Sequence, residues 1–281
     1  MDVVMEAPTR FLDAVRQAFE AELPSMRPAQ ISARFHTSEQ MTDAGIAMLL
    51  RAIRRRGSHG VVLKARQSKA VADAARGLMA AGIPVLTFVT DLPPECRLAY
   101  VGIDNRAAGE AAAWLMGHML SGRPCDVLTT LSSTMFSGED TREAAFREAM
   151  VSRFPEINVV RVSEGMGLTR GTGMRVAEAL EGNAAIEAVY SVGGGNRAIL
   201  EAFEAARRTC RVFAGHDLDR ANRALLAEER LTFVLHHDLR QDARTVCQAI
   251  LRHHRMLSDD VPLLPSRFEI VTPPGPDGWA H

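Results

Sequence analysis

Arg142 is the first residue whose type and position could serve chemistry. It lies in the segment GEDTRE (residues 138–143), where a helix is predicted to begin. The helix dipole disfavours a cation at the N-terminal end of a helix. A residue that is locally unfavourable in this way is a candidate for a functional role. The guanidinium could bind hydroxyl pairs, carboxylates or phosphates, and a salt bridge with Glu139 or Glu143 is the structural alternative.

Acidic residues follow two predicted strands. Asp104 precedes a predicted helix, where its carboxylate could either cap the helix or contact a ligand. Thr90 and Asp91 follow the strand at residues 85–89 and could form a turn or a site. The spacing alone leaves both alternatives open.

A glycine-rich segment, GGGN at residues 193–196, lies between a predicted strand and a predicted helix. Gly193-x-Gly195-x-x-Ala198 matches the loose dinucleotide fingerprint, and Asp217 lies 22 residues beyond Gly195. The match begins deep in the chain, whereas the fingerprint normally occupies the first strand–helix turn. The alternative is a tight turn whose backbone amides approach a polar ligand.

Two histidine pairs, His236-His237 before Asp238 and His253-His254, raise the question of a metal. Adjacent histidines on a strand point to opposite faces, and neither pair forms an i, i+4 set with another ligand. No GxSxG, HExxH, Walker loop or paired catalytic carboxylate motif is present. We therefore expect a binding protein with neither enzymatic activity, metal nor cofactor.

Apolar runs and helical patterns alternate along the whole chain. Strands are predicted at 3–5, 30–35, 60–63, 85–89, 98–103, 127–131, 158–162, 188–192, 211–214 and 231–235, and helices at 11–23, 41–56, 69–81, 106–120, 141–153, 171–180, 197–207, 220–228 and 242–256. Such strands, each followed by a helix, predict an α/β fold with parallel sheets. The chain has about ten strand–helix units, more than the eight of a closed α/β barrel, which favours two doubly wound lobes with a ligand cleft.

The composition is that of a globular protein: 281 residues, 47% hydrophobic and 24% charged. With 33 basic and 34 acidic side chains, the chain lacks the basic surplus of a segment that itself binds DNA. No apolar run approaches the ~20 residues of a membrane span, and the first residues do not resemble a signal peptide. Four scattered cysteines predict reduced thiols and a cytoplasmic location.

Residues 83–117, IPVLTFVTDLPPECRLAYVGIDNRAAGEAAAWLMG, strongly resemble the effector-binding core of LacI-family transcription regulators, which are related in fold to periplasmic sugar-binding proteins. The similarity continues, in order, in SGEDTREAAF (137–146), YSVGGGNRAILEA (190–202), VFAGHDLDR (212–220) and RFEIVT (267–272). The resemblance covers nearly the whole chain.

The resemblance implies two Rossmann-like lobes joined by three crossings, with an effector in the cleft. The first lobe is expected at 1–103 with 238–268, and the second at 104–237 with 269–281. By similarity, the effector-binding residues are Thr9, Phe11, Lys64, Thr90, Asp91, Asp104, Arg142, Asn196, Asp217 and His237. Carboxylates, an arginine and an amide can satisfy vicinal hydroxyls, while Phe11 can cover a sugar ring.

Two positions depart from the family pattern. Related sequences often carry Gln where this chain has His237, and sugar binders often carry Asn where it has Lys64. The added positive charge, with Lys64 beside Arg142, suggests an acidic effector such as a sugar acid or sugar phosphate. Equal binding of neutral and acidic sugars in calorimetry would contradict that hypothesis.

The resemblance implies a homodimeric regulator in which a ligand-dependent change of lobe closure controls operator binding. The family's helix-turn-helix head and hinge are absent from this chain, so we expect operator DNA to be bound only through a head that this chain lacks, and no membrane to be bound. Two alternatives remain: a periplasmic sugar-binding protein of a transporter, and an oxidoreductase that binds NAD(P) at the Gly193 loop.

Overall fold

The computed structural model describes residues 1–27, 29–120, 124–163 and 169–275, without the side chains of residues 169 and 170. The chain divides into two compact units. Unit 1 comprises Met1–Ile103, Met135–Ser137 and Asp238–Arg267, and unit 2 comprises Asp104–Thr134, Gly138–His237 and Phe268–His281. The short segment Met135–Ser137 groups with unit 1, although the residues on both sides of it belong to unit 2.

Unit 1 contains a five-stranded parallel sheet in the order β2-β1-β3-β4-β5. Its strands are β1 (Asp2–Glu6), β2 (Arg34–Ser38), β3 (Val61–Lys64), β4 (Val85–Phe88) and β5 (Ala99–Val101), and its helices are α1 (Thr9–Glu22), α2 (Asp43–Arg56), α3 (Lys69–Ala80) and α9 (Leu239–His253). Short 3₁₀ helices lie at Leu23–Met26 and Pro94–Cys96.

Alternate residues of β1 explain how the unit 1 sheet is covered on both faces. Val3 and Met5 belong to an apolar cluster formed with α1 and α9, whereas Val4 belongs to a second cluster formed with α2 and α3. Successive side chains of a strand point to opposite faces, so an uninterrupted apolar strand requires helices on both. All five residues of β1 are buried.

Unit 2 contains a six-stranded sheet in the order β7-β6-β8-β9-β10-β11. Its strands are β6 (Cys125–Thr130), β7 (Ile157–Val162), β8 (Ile186–Ser191), β9 (Val212–His216), β10 (Phe233–His237) and β11 (Phe268–Val271). Its helices are α4 (Asn105–Leu120), α5 (Ser137–Arg153), α6 (Thr169–Gly182), α7 (Asn196–Ala205) and α8 (Arg220–Ala227). The fold class predicted from the sequence, two doubly wound parallel-sheet units, is confirmed.

Both sheets share one strand order. Counted within each unit, the strands run 2-1-3-4-5, and unit 2 adds β11 beyond its fifth strand. In this order the chain changes direction between the first and third strands, and ligands of such sheets bind beyond the carboxyl ends of the strands near that point. We call the side at which the parallel strands end the carboxyl edge of the sheet.

Several element bounds differ from the predicted ones, and one strand, β11, was not predicted. The second strand is Arg34–Ser38 rather than residues 30–35, because Ile31 and Ala33 pack against the unit 1 core from the preceding loop. Helix α5 begins at Ser137, four residues before the predicted start at Thr141. Strand β11 pairs antiparallel with β10 and is the exception to an otherwise parallel sheet among the described residues.

The structure also bears on membranes and disulfides. Within the described ranges, no helix combines the length and apolar character that crossing a membrane requires. The four cysteines are free thiols, and Cys96, Cys125 and Cys247 are buried. Burial raises the pKa of both the Cys210 and the Cys247 thiol to about 12, so these thiols stay protonated at neutral pH.

Candidate functional site

Arg142 lies at the carboxyl edge of the unit 2 sheet, buried to 5% exposure on α5. Its Nε and Nη2 atoms donate to the Asn105 side-chain oxygen at 3.1 and 2.6 Å. Because α5 begins at Ser137, Arg142 lies beyond the first turn, and the dipole argument made from the sequence was wrong. The carboxylates offered as its salt-bridge partners contact other groups: Glu143 contacts Arg147, and Glu139 accepts from Ser132.

The approach of α4 to α5 places Asn105 beside Arg142. Gly109, on the next turn of α4, would direct a Cβ to within 2.1 Å of the Arg142 carbonyl oxygen. Only a residue without a side chain permits the two backbones to come this close. The contact brings the amide at the start of α4 to the guanidinium of α5.

His216, the last residue of β9, forms a buried pair with Tyr190 of β8. The Tyr190 hydroxyl and the His216 Nε2 atom share a hydrogen bond of 2.8 Å. Burial lowers the pKa of His216 well below its ordinary 6.5, and the charges of Arg142 and His237 lower it further. Burial likewise raises the pKa of Tyr190, so both groups are neutral at neutral pH.

Asn196 and Asn222 form a second buried pair at this edge. The Asn196 amide nitrogen donates to the Asn222 oxygen at 2.7 Å, and the Asn222 amide donates to the carbonyls of His216 and Asp217 at 2.8 and 2.7 Å. The Asn196 Oδ1 atom is buried and has no hydrogen-bond partner among the described residues. A buried acceptor without a partner costs about 1–3 kcal/mol, and a ligand donor can satisfy it.

Asp217 and His237 follow adjacent strands of the same edge. Asp217 has a left-handed backbone with φ of 64°, and its carboxylate lies 3.3 Å from the His237 Nδ1 atom. The Asp217 side chain is 35% exposed, whereas that of His237 is 4% exposed. A half-exposed carboxylate beside a buried imidazole can accept hydrogen bonds from a ligand.

The glycine loop before α7 is explained by close packing. A Cβ at Gly193 would come within 2.2 Å of the Ser132 backbone nitrogen, and a Cβ at Gly195 within 2.9 Å of Thr172. Close packing thus accounts for both glycines without a nucleotide, in agreement with the tight-turn alternative.

Lys64 ends β3 at the carboxyl edge of the unit 1 sheet and is 8% exposed. Its ammonium donates to the Glu6 backbone carbonyl at 3.1 Å and lies 4.4 Å from the centre of the Phe136 ring. It also lies 5.8 Å from the Phe11 ring, and Phe11 itself belongs to the unit 1 core. A cation over aromatic faces is a favourable arrangement, worth about 0.5–2 kcal/mol.

Further polar groups at the unit 1 edge are engaged with one another. Buried Glu6 accepts from Arg66 Nε at 3.0 Å and from the Met41 backbone nitrogen at 3.3 Å. Thr9 is exposed, and both its backbone nitrogen and its hydroxyl donate to Glu39, at 2.9 and 2.7 Å. These hydrogen bonds lower the pKa of Glu39.

Thr90 and Asp91 form a turn after β4. Asp91 accepts from Arg97 through both carboxylate oxygens, at 2.5 and 2.8 Å, and from the Thr87 hydroxyl at 2.6 Å. The Thr90 hydroxyl is 3.2 Å from the Ser137 hydroxyl. Asp91 thus has the turn role that the sequence left open, with an ion pair added.

Asp104 caps α4. Its carboxylate accepts from the Ala107 backbone nitrogen at 3.0 Å, and the residue is exposed. This is the capping alternative considered for Asp104, and the hydrogen bond satisfies one of the open amides of the first helical turn.

Among the described residues, no group of three or more His, Cys, Asp or Glu side chains could hold a metal ion.

A family model described as "Periplasmic binding protein domain" matches residues 3–254. The chain belongs to this periplasmic binding protein family. No curated protein sequence matches the chain.

Solved structures share the fold of this family member at low sequence identity. A glucose-galactose binding protein, GanP, from Geobacillus stearothermophilus is 17% identical, with a TM-score of 0.82 and coverage of 96% of this chain and 95% of the other. An ABC transporter periplasmic solute binding protein from Actinobacillus succinogenes with bound D-allose is 14% identical, with a TM-score of 0.81 and 96% coverage of both chains.

A third similar structure is the fructose binding periplasmic domain of the hybrid two component system BT1754. It is 14% identical, with a TM-score of 0.82, and the alignment covers 95% of this chain and 89% of the other. These matches place the chain in the periplasmic-binding-protein fold.

In this periplasmic binding protein, the carboxyl edge of unit 2 brings together four of the residues predicted from the sequence. Arg142 and His237 both act on the His216 imidazole, and Asn196 is joined through Asn222 to the backbone of Asp217. In unit 1, the polar atoms of Thr9 and Asp91 are bound to Glu39 and Arg97. The role of each predicted residue in binding an effector stays a prediction, as does the cleft.

Sequence analysis missed the groups that support the site. His216, Tyr190 and Asn222 in unit 2, and Glu6 with Arg66 in unit 1, were not singled out. The first one or two residues after each predicted strand were the available signal, because His216 and Glu6 end the observed strands β9 and β1. Their partners lie 26 to 60 residues away in the chain, and no local pattern indicates such distances.

Proposed function

We propose that this chain is a sugar-binding protein that uses the polar side chains at the carboxyl edge of its unit 2 sheet. The buried Asn196 Oδ1 atom carries the proposal, because it is an acceptor without a partner in the described part of the chain. A sugar hydroxyl is a donor suited to it. Family membership supports the same function, as do the sugars named for three structures of this fold.

The groups around Asn196 complement a polyol. Arg142 offers donors in a fixed fork, held by the Asn105 oxygen, while the Asp217 carboxylate offers acceptors. His216 and Tyr190 lie within the same edge as a neutral, hydrogen-bonded pair. Fixed donors and acceptors can bind adjacent hydroxyls with little reorganisation, and a sugar needs no catalytic group to be bound.

Two cellular roles fit a sugar-binding protein of this family. The similar structures include ABC transporter solute binding proteins, which supports the role of a transport component. The motifs quoted above support the effector-binding core of a LacI-family regulator. The structural similarities favour the transport role, and the homodimer, operator DNA and cytoplasmic location belong to the regulator hypothesis.

A thermal-shift screen of the purified chain tests sugar binding. The panel contains pentoses, hexoses, polyols, sugar acids, sugar phosphates and NAD(P). A ligand at 100 times its dissociation constant should stabilise the fold by about 2.7 kcal/mol, which raises the melting temperature measurably. A response only to NAD(P), or to no carbohydrate, would contradict the proposal.

Light scattering after size-exclusion chromatography separates the two roles. A dimer with and without sugar would support the regulator core, and a monomer in both conditions would support the transport component. The measurement uses the sugar identified in the screen, so a ligand-dependent change of mass is also detected.

A further inference from the structure

Asn222, on α8, is 5% exposed, and its side chain makes hydrogen bonds in three directions. Its amide nitrogen donates to the His216 and Asp217 carbonyls at 2.8 and 2.7 Å. Its oxygen accepts from the Asn196 amide nitrogen at 2.7 Å. The side chain therefore joins the end of β9 to the first residue of α7, and all four residues belong to unit 2.

The two backbone carbonyls fix which way round the Asn222 amide lies. If the amide were turned over, its oxygen would face the carbonyl oxygens of His216 and Asp217, and none of the three acceptors would have a donor. The nitrogen must therefore face the backbone, and the oxygen must face Asn196. Because a carboxamide oxygen only accepts, Asn196 has to present its nitrogen to Asn222.

The orientation of Asn196 follows from that of Asn222. Once the Asn196 nitrogen is directed at Asn222, the Asn196 Oδ1 atom is the acceptor left over, and it is buried without a hydrogen-bond partner among the described residues. Turning the Asn196 amide over would set its oxygen against the Asn222 oxygen. At this atom the site therefore offers an acceptor to a ligand.

Two features of the backbone agree with this arrangement. A Cβ at Gly215 of β9 would come within 2.9 Å of the Asn196 Nδ2 atom, so the glycine leaves room for the amide. Asp217 presents its carbonyl to Asn222 from a left-handed backbone with φ of 64°. Residues other than glycine keep this conformation only where surrounding contacts hold it. Packing and backbone conformation thus favour the same orientation of Asn196 as the hydrogen bonds.

We propose that Asn222 is a positioning residue of the sugar site, and that the bound sugar donates a free hydroxyl to the Asn196 Oδ1 atom. The inference rests on the sugar-binding function proposed above and names the class of sugar. An ether oxygen or a fluorine at that position lacks the hydrogen, and a deoxy carbon leaves the buried acceptor unpaired. The site therefore discriminates against sugars that are deoxygenated, alkylated or glycosidically linked at this position.

Isothermal titration calorimetry of the whole chain tests the proposal with sugars that lose one hydroxyl at a time. The probes are D-glucose, D-galactose, D-allose and D-fructose with their monodeoxyfluoro derivatives, in which fluorine replaces a single hydroxyl. If the thermal-shift screen selects another carbohydrate, its own monodeoxyfluoro derivatives take their place. We expect one position at which fluorine lowers the affinity about tenfold to a hundredfold, because fluorine cannot donate to Asn196.

Variants of the two asparagines assign this loss. In Asn196→Ala the affinity ratio between the sugar and that derivative should fall to about one. Asn222→Ala allows the Asn196 amide to turn over, so the ratio should fall to about twofold. Asn222→Asp retains an acceptor for the Asn196 nitrogen and should keep the high ratio, although the protein melts at a lower temperature. Asn158→Ala is the matched control, because Asn158 is exposed and donates to Asp126 at 3.0 Å.

The ratio separates a positioning role from a structural one, which would lower the affinity for every derivative alike. A ratio that falls in Asn222→Ala and persists in Asn222→Asp would support the proposal, and Asn222→Ser replaces Asn222→Ala if the latter does not fold. An unchanged ratio in the shortened variant, an equal fall in Asn222→Asp, or equal binding of every fluoro derivative would overturn it and leave sugar binding intact. Failure of every carbohydrate to bind would overturn the proposed function as well.

Discussion

Val89 and Asp217 each adopt a left-handed backbone, with φ of 66° and 64°, directly after the fourth strand of their sheets. Val89 follows β4, and Asp217 follows β9. A left-handed conformation is uncommon outside glycine and especially unfavourable for a β-branched residue such as valine. Strained backbone of this kind concentrates at functional sites. The same backbone conformation therefore occurs at corresponding positions, where the chain leaves each sheet at its carboxyl edge.

Asp217→Asn should separate the backbone role of Asp217 from its charge. Asparagine tolerates the left-handed region, so the melting temperature should change little, while loss of the carboxylate should weaken sugar binding about tenfold. Asp217→Val should cost about 1–3 kcal/mol of unfolding free energy, because valine is strained in this conformation. Chemical denaturation and calorimetry measure the two effects, and equal destabilisation by both variants would contradict the backbone argument.

Arg142→Ala should weaken binding of the sugar about tenfold to a hundredfold, since it removes the buried donors of the unit 2 edge. The fold should survive, because the residue left behind, Asn105, is half-buried and water can reach it. Arg153→Ala, at the exposed end of the same helix, is the control. Affinities are measured by calorimetry, and an unchanged affinity in Arg142→Ala would remove Arg142 from the site.

His216 should make the protein less stable in mild acid. Its pKa in the folded protein lies well below 6.5, first because of burial and then because of Arg142 and His237. Below about pH 6.5 the unfolded chain takes up a proton that the folded chain cannot, so stability is lost as the pH falls. One such group contributes at most about 1.4 kcal/mol per pH unit.

His216→Gln should reduce the loss of unfolding free energy between pH 7.5 and pH 5.5. Unfolding free energies at pH 7.5 and 5.5 provide the comparison for the native protein and the variant. Carboxylates contribute little to it, because those with lowered pKa, including Asp2 and Glu22, titrate below this interval. Identical slopes for the two proteins would show that another group is responsible.

Asp2→Asn should destabilise unit 1 strongly. The Asp2 carboxylate is fully buried and accepts from Arg34, from His36 at 2.8 Å and from Arg56 at 2.6 Å. Removal of one partner from such a buried ionic cluster costs about 3 kcal/mol or more. Asp73→Asn is the control, because its ion pairs with Lys69 and Arg76 are exposed and should contribute less than about 1 kcal/mol.

The pH dependence gives a second measurement on Asp2. Burial by itself raises the pKa of Asp2, but hydrogen bonds from Arg34, Ser58, His36 and Arg56 hold it well below the ordinary 3.8. The stabilisation is therefore complete above pH 3.8 and lost as the pH falls further. Acid unfolding of Asp2→Asn should depend less on pH in that range than acid unfolding of the native protein.

The alternation of strands and helices was predictable because it follows from burial. Strands β1 and β3 are buried at every residue, and each contains an apolar run, Val3–Met5 or Val61–Leu63, bounded by polar residues. Strand β2 was misplaced because it is an edge strand whose residues are half-buried or exposed. Hydrophobicity identifies what is buried, and here the preceding loop is as apolar as the strand.

The polar partners of the site were predictable only in part. Asn196 and Asp217 stand at strand–helix junctions, and that position alone made them candidates. For Asp104, the choice between a helix cap and a ligand contact depends on its hydrogen bond with Ala107. For Asp91, the choice between a turn and a ligand contact depends on its ion pair with Arg97. The spacing of these residues in the sequence does not show whether either contact forms. Likewise, the Asn105 partner of Arg142 depends on how closely α4 and α5 approach.

Helix α9 completes the unit 1 core only late in synthesis. Ala243, Val246, Cys247, Ile250 and Leu251 of this helix belong to the same core cluster as Val3 and Phe19, near the start of the chain. The first strands therefore leave the ribosome with one face of their sheet covered by α1 alone. At ordinary synthesis rates, roughly ten to thirty seconds separate the emergence of β5 from that of α9. During that interval the nascent chain exposes an apolar surface, so a chaperone that holds it should raise the yield of folded protein more than one that acts after release.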